Sequence, residues 1–423
     1  MSNPAIPAPS AALSATPSAT AAAANRALLI GLGGILVTWL GAFVSGPRVV
    51  GTAWLVGEGF WTAAAIGFLM LTMLLHIFDA MWGTVLRRQL EHGLVAFKWL
   101  ALLFVPMLLV AVFRPHNPVW VWMDLSHRMV AEHTTVGNDI IYWRKSSLLN
   151  FRAFVIFTAV LFVFWIWVAS RLRRASIAQD SDGDPKWTVK NRFTSGFGLP
   201  LGGLALTAAA ILWFKSLEYH WFSTMYGVWY FADCMRCALS FGVLIMFWLW
   251  HRGDYQGVLN RNHWHSIGQL MLAFTVFWGY ICFSQYFLTW NANVPEETFW
   301  FNEREFGDWY AIGMVLVFGN FLLPFLLLLS YRFKITKHII RRIAIWILLT
   351  TFIDLCWNIL PALKDANGNA RPFLSLTLVW AITSTIGIGG ICIWAYLRAL
   401  PATKLIPIRD PRITETLTFH EDE

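Results

Sequence analysis

Several ionisable residues stand within or at the ends of long apolar segments of this sequence, where a charge is costly. They are Glu58, His76, Asp79, Lys98, Lys215, Asp233, Arg236 and Asp354. Ionisable side chains in such segments usually face the interior of a helix bundle and mark routes for ions or protons. We therefore take these residues as candidates for a proton pathway, and we assign a catalytic role to none of them.

Two pairs among these residues are spaced three apart: His76 with Asp79, and Asp233 with Arg236. Residues at this spacing on a helix lie on the same face. A carboxylate in a low-dielectric interior favours its neutral form, whereas a nearby cation favours the charged form. Asp233 beside Arg236 could therefore hold and release a proton, form a static ion pair that fixes helix packing, or bind a ligand.

The expected depths of the candidates suggest two series of ionisable groups, each of which crosses one half of the membrane. We call them the inner and the outer half-ladder. The inner half-ladder runs through Asp79, His76 and Lys98. The outer half-ladder joins Asp354 to the pair of Asp233 and Arg236. Two alternatives remain open for the inner half-ladder. The histidine and its neighbouring aspartate could be an interfacial pair in contact with water, and the lysine could extend along apolar surface to the membrane face.

The sequence contains no evident redox centre of its own. A membrane haem held by two histidines needs them at matched depth on facing helices. The histidines near apolar segments instead lie at or near the segment ends: His76, His220, His251, His263, His265 and His338. No phosphate-binding loop, iron–sulfur motif or metal-ligand spacing occurs, and the sequence lacks a convincing central His–carboxylate pair at the outer surface. We therefore expect no directly bound cofactor and no metal.

The composition excludes a soluble enzyme, a disordered protein and a disulfide scaffold. The chain has 423 residues, of which 57% are hydrophobic and only 13% charged. Soluble domains carry about 25% charged residues, and a water-soluble protein of this size could not bury so much apolar surface. Because the apolar segments are long and continuous, the sequence predicts an all-α polytopic membrane protein.

Ten segments are long and apolar enough to span a membrane as helices. They are 27–45, 51–77, 93–113, 150–170, 197–217, 221–250, 265–290, 308–331, 339–361 and 372–398. Residues 1–26, rich in Ala, Ser and Pro, are expected to be a disordered leader, and 399–423 a tail.

The distribution of basic residues predicts the orientation of the chain. Of the 32 Lys and Arg residues, 20 fall on the side of the N-terminus and 9 on the opposite side. The positive-inside rule then places both termini in the cytoplasm. The net charge of +8 is explained by these loops, so we expect no nucleic-acid partner.

Three stretches dense in aromatic residues resemble one protein family. They are SLEYHWFSTMYGVWYFADC (216–234), HWHSIGQLMLAFTVFWGYICFSQYFLTWNANVPEETFWF (263–301) and WRKSSLLNFRAF (143–154). The sequence resembles the ActF-type membrane subunits of bacterial alternative complex III, a quinol:electron-acceptor oxidoreductase of respiratory and photosynthetic electron-transport chains. The resemblance covers most of residues 27–400.

The resemblance implies a fold like that of the NrfD and polysulfide-reductase membrane subunits. Two four-helix bundles are then expected, at 51–217 and 221–361, with peripheral helices at 27–50 and 372–398.

The resemblance also implies a location and a set of partners. The location is the bacterial inner membrane. The partners are a paralogous ten-helix subunit, a periplasmic iron–sulfur protein, multihaem cytochromes c and lipids. Haem and iron–sulfur clusters would belong to those partner subunits. The aromatic-rich outer loops 114–149 and 291–307 are expected to dock them.

Three functions remain open at this point. The chain could be a structural and proton-conducting subunit of such a complex. It could be a quinol-binding catalytic subunit of the same superfamily, with quinone (menaquinone) as its ligand. It could also be a secondary transporter with a midplane site.

Overall fold

The computed structural model describes residues 17–113, 119–129, 134–255, 257–365 and 367–417. The α-helices in these ranges are α1 (Pro17–Leu40), α2 (Ala42–Ser45), α3 (Pro47–Ile77), α4 (Thr84–Gly93), α5 (Ala96–Phe113), α6 (Ile140–Lys145), α7 (Phe151–Asp182), α8 (Lys186–Ala209), α9 (Tyr226–His251), α10 (Arg261–Ala292), α11 (Pro295–Asn302), α12 (Gly307–Val315), α13 (Leu323–Leu329), α14 (Tyr331–Ile335), α15 (Lys337–Ile359), α16 (Leu376–Ala399) and α17 (Ile413–Leu417). Two-residue strands β1 (Arg128–Met129) and β2 (Thr134–Thr135) pair antiparallel.

Ten helical segments in the described residues are long and apolar enough to cross a membrane. They are Thr20–Ser45, Pro47–Ile77, Met81–Val110, Phe151–Asp182, Lys186–Glu218, Tyr226–His251, Arg261–Ala292, Gly307–Leu329, Lys337–Ala362 and Leu376–Ala402. We call them spans 1 to 10. A helix satisfies every backbone polar group internally, which the bilayer requires. The prediction of an all-α, ten-span membrane protein is confirmed.

The spans form two groups of four around α3. In spans 2 to 5, each span contacts the next one along the chain, and span 5 contacts span 2, so that the four helices form a closed bundle. Spans 6 to 9 are arranged in the same way. Spans 1 and 10 pack against each other, and span 10 also lies along α3.

Two predicted boundaries were wrong. Helix α1 begins at Pro17, so residues 17–26 of the expected disordered leader are helical, while residues 1–16 lie outside the described part of the chain. Span 3 begins before the predicted residue 93, with the separate helix α4. The apolar pattern missed α4 because it carries buried charges, among them Arg87, Arg88 and Glu91.

The described N-terminal and C-terminal segments meet on one side of the molecule, which we call the terminal side. Ala24 of span 1 packs in one apolar cluster with Leu400 and Leu405. Beyond span 10 the chain lies against α4, where Asp410 pairs with Arg87. The described part of the predicted tail is therefore docked onto the helices.

Spans 1 and 10 approach closely through glycines. A Cβ on Gly390 would stand 2.4 Å from the Cα of Gly31, and one on Gly387 would stand 2.7 Å from the backbone N of Ile35. Small residues allow such close backbone packing, which drives helix association in membranes.

Replacing Gly390 with leucine is therefore expected to destabilise the protein by about 1–3 kcal/mol, the usual cost of overpacking. Thermal unfolding in detergent measures the effect. Gly33 lies on the same span 1 helix with nothing within 4 Å of its Cβ position, so Gly33→Leu is the matched control. Equal unfolding temperatures for the two variants would contradict the tight contact.

Candidate functional site

The outer half-ladder predicted from the sequence is brought together in the structure. Asp233 and Arg236 lie on α9, and Asp354 lies on the neighbouring helix α15. Their side chains are almost completely buried, with exposed fractions of 0%, 1% and 2%. Three ionisable groups therefore share one site inside the second bundle.

Arg236 is held between its own helix and span 8. Its Nη1 lies 3.5 Å from Oδ1 of Asp233, and its Nη2 donates to both the backbone O (2.9 Å) and Oδ1 (2.6 Å) of Asn320. Asn320 lies in a π-helical segment, Leu316–Leu322, which interrupts the α-helical bonding of span 8. Such π-segments often occur at functional sites. The guanidinium also lies over the ring of Trp278, 5.2 Å from its centroid.

Asp354 is surrounded by hydrogen-bond donors. Its Oδ2 accepts from the indole N–H groups of Trp229 and Trp278, each at 2.9 Å. Its Oδ1 accepts from Nδ2 of Asn358 at 3.1 Å. These donors fix the carboxyl group in position and compensate part of the cost of burying it.

The carboxyl groups of Asp233 and Asp354 are also close enough to interact with each other inside the bundle. Among the described residues, no N–H or O–H group donates to either oxygen of Asp233. Two ionised carboxylates cannot hydrogen-bond, because both only accept. Two carboxyl groups buried beside a single cation can share one proton, which leaves one negative charge to balance the cation. Two carboxyl groups in one site commonly behave in this way.

From Asp354 a chain of polar contacts continues to the side opposite the termini. Nη2 of Arg304 donates to the backbone O of Asn358 (3.2 Å) and lies 3.0 Å from Oε2 of Glu218. Lys364 contacts both Glu218, at 3.3 Å, and Glu303. This outer ion cluster links the buried pair to the loops, and sequence analysis had not singled out its loop members.

Glu303 is the titratable group of this cluster near neutral pH. Burial, together with the charge of Glu218, raises the pKa of Glu303 to about 7, although Lys364 opposes the shift. Because the pKa of Glu303 in the folded protein lies above its ordinary value of 4.5, the proton on Glu303 stabilises the fold in acid. This contribution is lost as pH rises through about 7.

We therefore expect the stability of the protein to fall between about pH 4.5 and 7, the window between the unfolded and folded pKa values, and Glu303→Gln to flatten that slope. Thermal unfolding across this pH range is the measurement. Glu305, whose Oε1 accepts from the Tyr286 hydroxyl, provides the control variant Glu305→Gln, which should keep the slope. A slope that persists unchanged in Glu303→Gln would contradict the assignment.

The inner half-ladder is not assembled as predicted. Helix α3 ends at Ile77, and Asp79 follows in a turn with φ of 54°, so it does not share a helical face with His76. Asp79 instead pairs with Arg192, at 2.5 Å, and with Arg412 of the docked tail. Burial acts to raise the pKa of Asp79, but the hydrogen bonds from the two arginines outweigh it and lower that pKa.

The remaining inner candidates are separate from each other. His76 is buried. Lys98 is exposed and lines a small cleft with Arg173 and Arg174 on span 4. That position fits the alternative in which the lysine extends to the membrane face.

The last two candidates lie outside the network around Asp354. Glu58 is fully buried on α3, and neither of its carboxyl oxygens has a hydrogen-bond partner among the described residues. Lys215 is half-buried in the 3-10 turn Lys215–Glu218, at the end of span 5.

A His–carboxylate pair lies on the outer side, where the sequence had shown none. Oδ2 of Asp139 lies 2.6 Å from Nε2 of His220 and accepts from the hydroxyl of Tyr219, also at 2.6 Å. Burial acts to raise the pKa of Asp139, but these bonds and the one from the backbone N–H of Ile141 lower it. The histidine and the aspartate are far apart in sequence, so spacing gave no signal of the contact.

A cavity of about 790 Å³ lies between spans 7, 8 and 9, directly beside the buried pair. Its walls are mostly aromatic and apolar, and they include Trp229, Trp278, Trp300 and Trp357. Asp354, Asn358, Gln285 and Glu305 contribute polar groups to the wall, which Arg304 also lines. Small-molecule sites commonly have this size and this balance of apolar and polar groups.

Comparison with known proteins finds no family model and no curated protein that matches this chain. Within the described residues, no group of three or more His, Cys, Asp or Glu side chains is placed to hold a metal ion. The arrangement around Asp354 is therefore interpreted from its own geometry.

Proposed function

We propose that this chain is an integral, proton-conducting membrane subunit of a quinol-oxidising electron-transfer complex of the alternative complex III type. The observation that carries the proposal is the buried pair of Asp233 and Asp354 beside Arg236. Ionisable groups at membrane depth are costly and are usually retained for transport of protons or ions. A pair that shares one proton can take up a second or release the first without a large change in structure.

The polar contacts beyond the pair support a route towards the outer side. From Asp354 they pass through Asn358 and Arg304 to Glu218 and Glu303. A carboxyl group with a pKa of about 7 at the loop end of the route can exchange protons at physiological pH. On the terminal side, Arg87, Arg88 and Glu91 form a second buried charged cluster.

The proposal includes an orientation. The terminal side carries most of the Lys and Arg residues, which the positive-inside rule assigns to the cytoplasm of a bacterial cell. The opposite side then faces the periplasm, where an iron–sulfur protein and multihaem cytochromes c would dock. A paralogous ten-span subunit would lie alongside in the membrane. On this proposal the electron carriers belong to the partners.

Mild solubilisation followed by a native gel tests the assembly. The proposal expects the chain to migrate with c-type cytochromes and with an iron–sulfur protein. A chain that purifies alone under every mild condition, with an intact fold by thermal unfolding, would contradict it. Proton movement is tested separately with the Asp233 variant discussed below.

A further inference from the structure

We infer that a cleft between spans 3 and 4 binds the phosphate group of an anionic phospholipid, in the leaflet on the terminal side. Lipid contacts every spanning helix, but this cleft selects lipids by the charge of the headgroup. The cleft lies in the first bundle, whereas Asp233 and Asp354 lie on α9 and α15 of the second. The site is therefore independent of the proposed route for protons.

Three cationic side chains line the cleft. Lys98 lies at the start of α5, and Arg173 and Arg174 lie near the end of α7. Span 4 ends on the terminal side, where Arg409 of the docked tail donates to the backbone O of Ser181. The cleft has a volume of about 100 Å³, against roughly 300–1,000 Å³ for pockets that enclose small molecules. Its size therefore suits a single anionic group.

The positive charge of the cleft is not balanced within the described part of the chain. There, no carboxylate forms an ion pair with any of the three cations, and the buried Nε of Arg173 has no hydrogen-bond partner. Two buried acidic groups on α4 and α7, Glu91 and Asp180, lie against Arg88 instead, at 3.6 Å and 2.7 Å. Basic pockets between spanning helices on the cytoplasmic side attract anionic lipid headgroups.

An apolar groove on span 4 favours a lipid over a free phosphate ion. Val160, Val163 and Trp167 line this shallow groove, and they are 57%, 66% and 48% exposed. Their spacing of three, four and then seven residues to Arg174 places all four on one face of α7. The groove lies deeper in the membrane than the cleft, because span 4 ends on the terminal side. A phospholipid whose phosphate lies in the cleft can place an acyl chain along the groove, whereas a free phosphate ion would leave the groove unused.

Photolabelling of the full-length protein in phosphatidylcholine nanodiscs tests the inference, with phosphatidylglycerol that carries a diazirine in one acyl chain as the probe. We expect labelled peptides from residues 159–170, and loss of the label when unmodified phosphatidylglycerol is added. Lys98→Gln combined with Arg174→Gln should reduce the labelling by about tenfold or more, because each cation near an anionic lipid contributes about fivefold. Lys190→Gln combined with Arg342→Gln removes the same two charges from exposed positions outside the cleft, so it should label as the wild type does.

Two further probes separate the alternatives. Phosphatidylcholine with the same diazirine chain should label these peptides about tenfold less, and equal labelling by the two lipids would overturn the inference. Inorganic phosphate, added at an ionic strength matched with chloride, should leave the label in place. Loss of the label would assign the cleft to a soluble anion and overturn the lipid site.

The variants provide the second criterion. Equal labelling of the wild type and of Lys98→Gln combined with Arg174→Gln, both folded by thermal unfolding, would also overturn the inference. If that double variant does not fold, the comparison of the two lipid probes on the wild type decides the question. The readout needs no proton movement, so its failure would leave the proposed function unaffected.

Discussion

On the proposed function, replacing Asp233 with asparagine is expected to slow proton movement driven by quinol oxidation by about tenfold or more, equivalent to a barrier higher by about 1.4 kcal/mol. Asparagine has almost the same shape, but its amide cannot take up and release a proton as a carboxyl group does. A pH-sensitive dye inside liposomes that contain the reconstituted complex measures the effect. Electron transfer, followed by cytochrome reduction, is recorded in the same sample.

A second aspartate provides the matched control. Asp124 is also buried, but it lies in the loop after span 3, where it accepts from the side chain and backbone of Ser126. Asp124→Asn makes the same chemical change outside the route, and it should leave proton movement within the error of the wild type. Unchanged proton movement in Asp233→Asn, with a normally assembled complex, would remove the buried pair from the mechanism.

Replacing Arg236 with methionine is expected to cost about 3–5 kcal/mol of stability, because removal of one partner leaves a buried charge uncompensated. The carboxyl pair would keep its negative charge in a buried site. The two oxygens of Asn320 that now accept from Arg236 would also lose their donor. Cys234 and Cys237 are fully buried on the same helix, so a thiol-reactive dye reports unfolding during a thermal scan.

Two further variants separate this electrostatic effect from a loss of packing. Arg236→Met combined with Asp233→Leu replaces the ion pair by apolar groups, which should recover much of the lost stability. Arg252 forms a more exposed ion pair with Asp254, so Arg252→Met should cost no more than about 1 kcal/mol. If the double variant were less stable than Arg236→Met alone, the account of a balanced buried charge would be wrong.

The parts of the site that sequence predicted are those set by helical periodicity and depth. Asp233 and Arg236 are three apart on one helix, so they had to lie near each other. The predicted outer half-ladder joined Asp354 to this pair, and the packing of α15 against α9 brings the two aspartates together.

The parts that sequence missed depend on tertiary contacts or on irregular backbone. Arg304 and Glu218 are distant along the chain, and only the folding of span 5 and of the loop before span 8 joins them. Asn320 could have been noticed as a lone amide in an apolar segment, but the π-segment that turns its backbone O towards Arg236 has no simple sequence signal. The pairing of His76 with Asp79 failed because α3 ends between them.

The proposal that Asp233 and Asp354 share a proton is tested most directly by infrared difference spectroscopy of the reconstituted complex. The protonated-carboxyl band responds to hydrogen–deuterium exchange and to single substitutions. The account predicts such a band in the wild type during quinol oxidation, and its loss or shift in both Asp233→Asn and Asp354→Asn. A band that is identical in the wild type and in both variants would show that the pair holds no exchangeable proton.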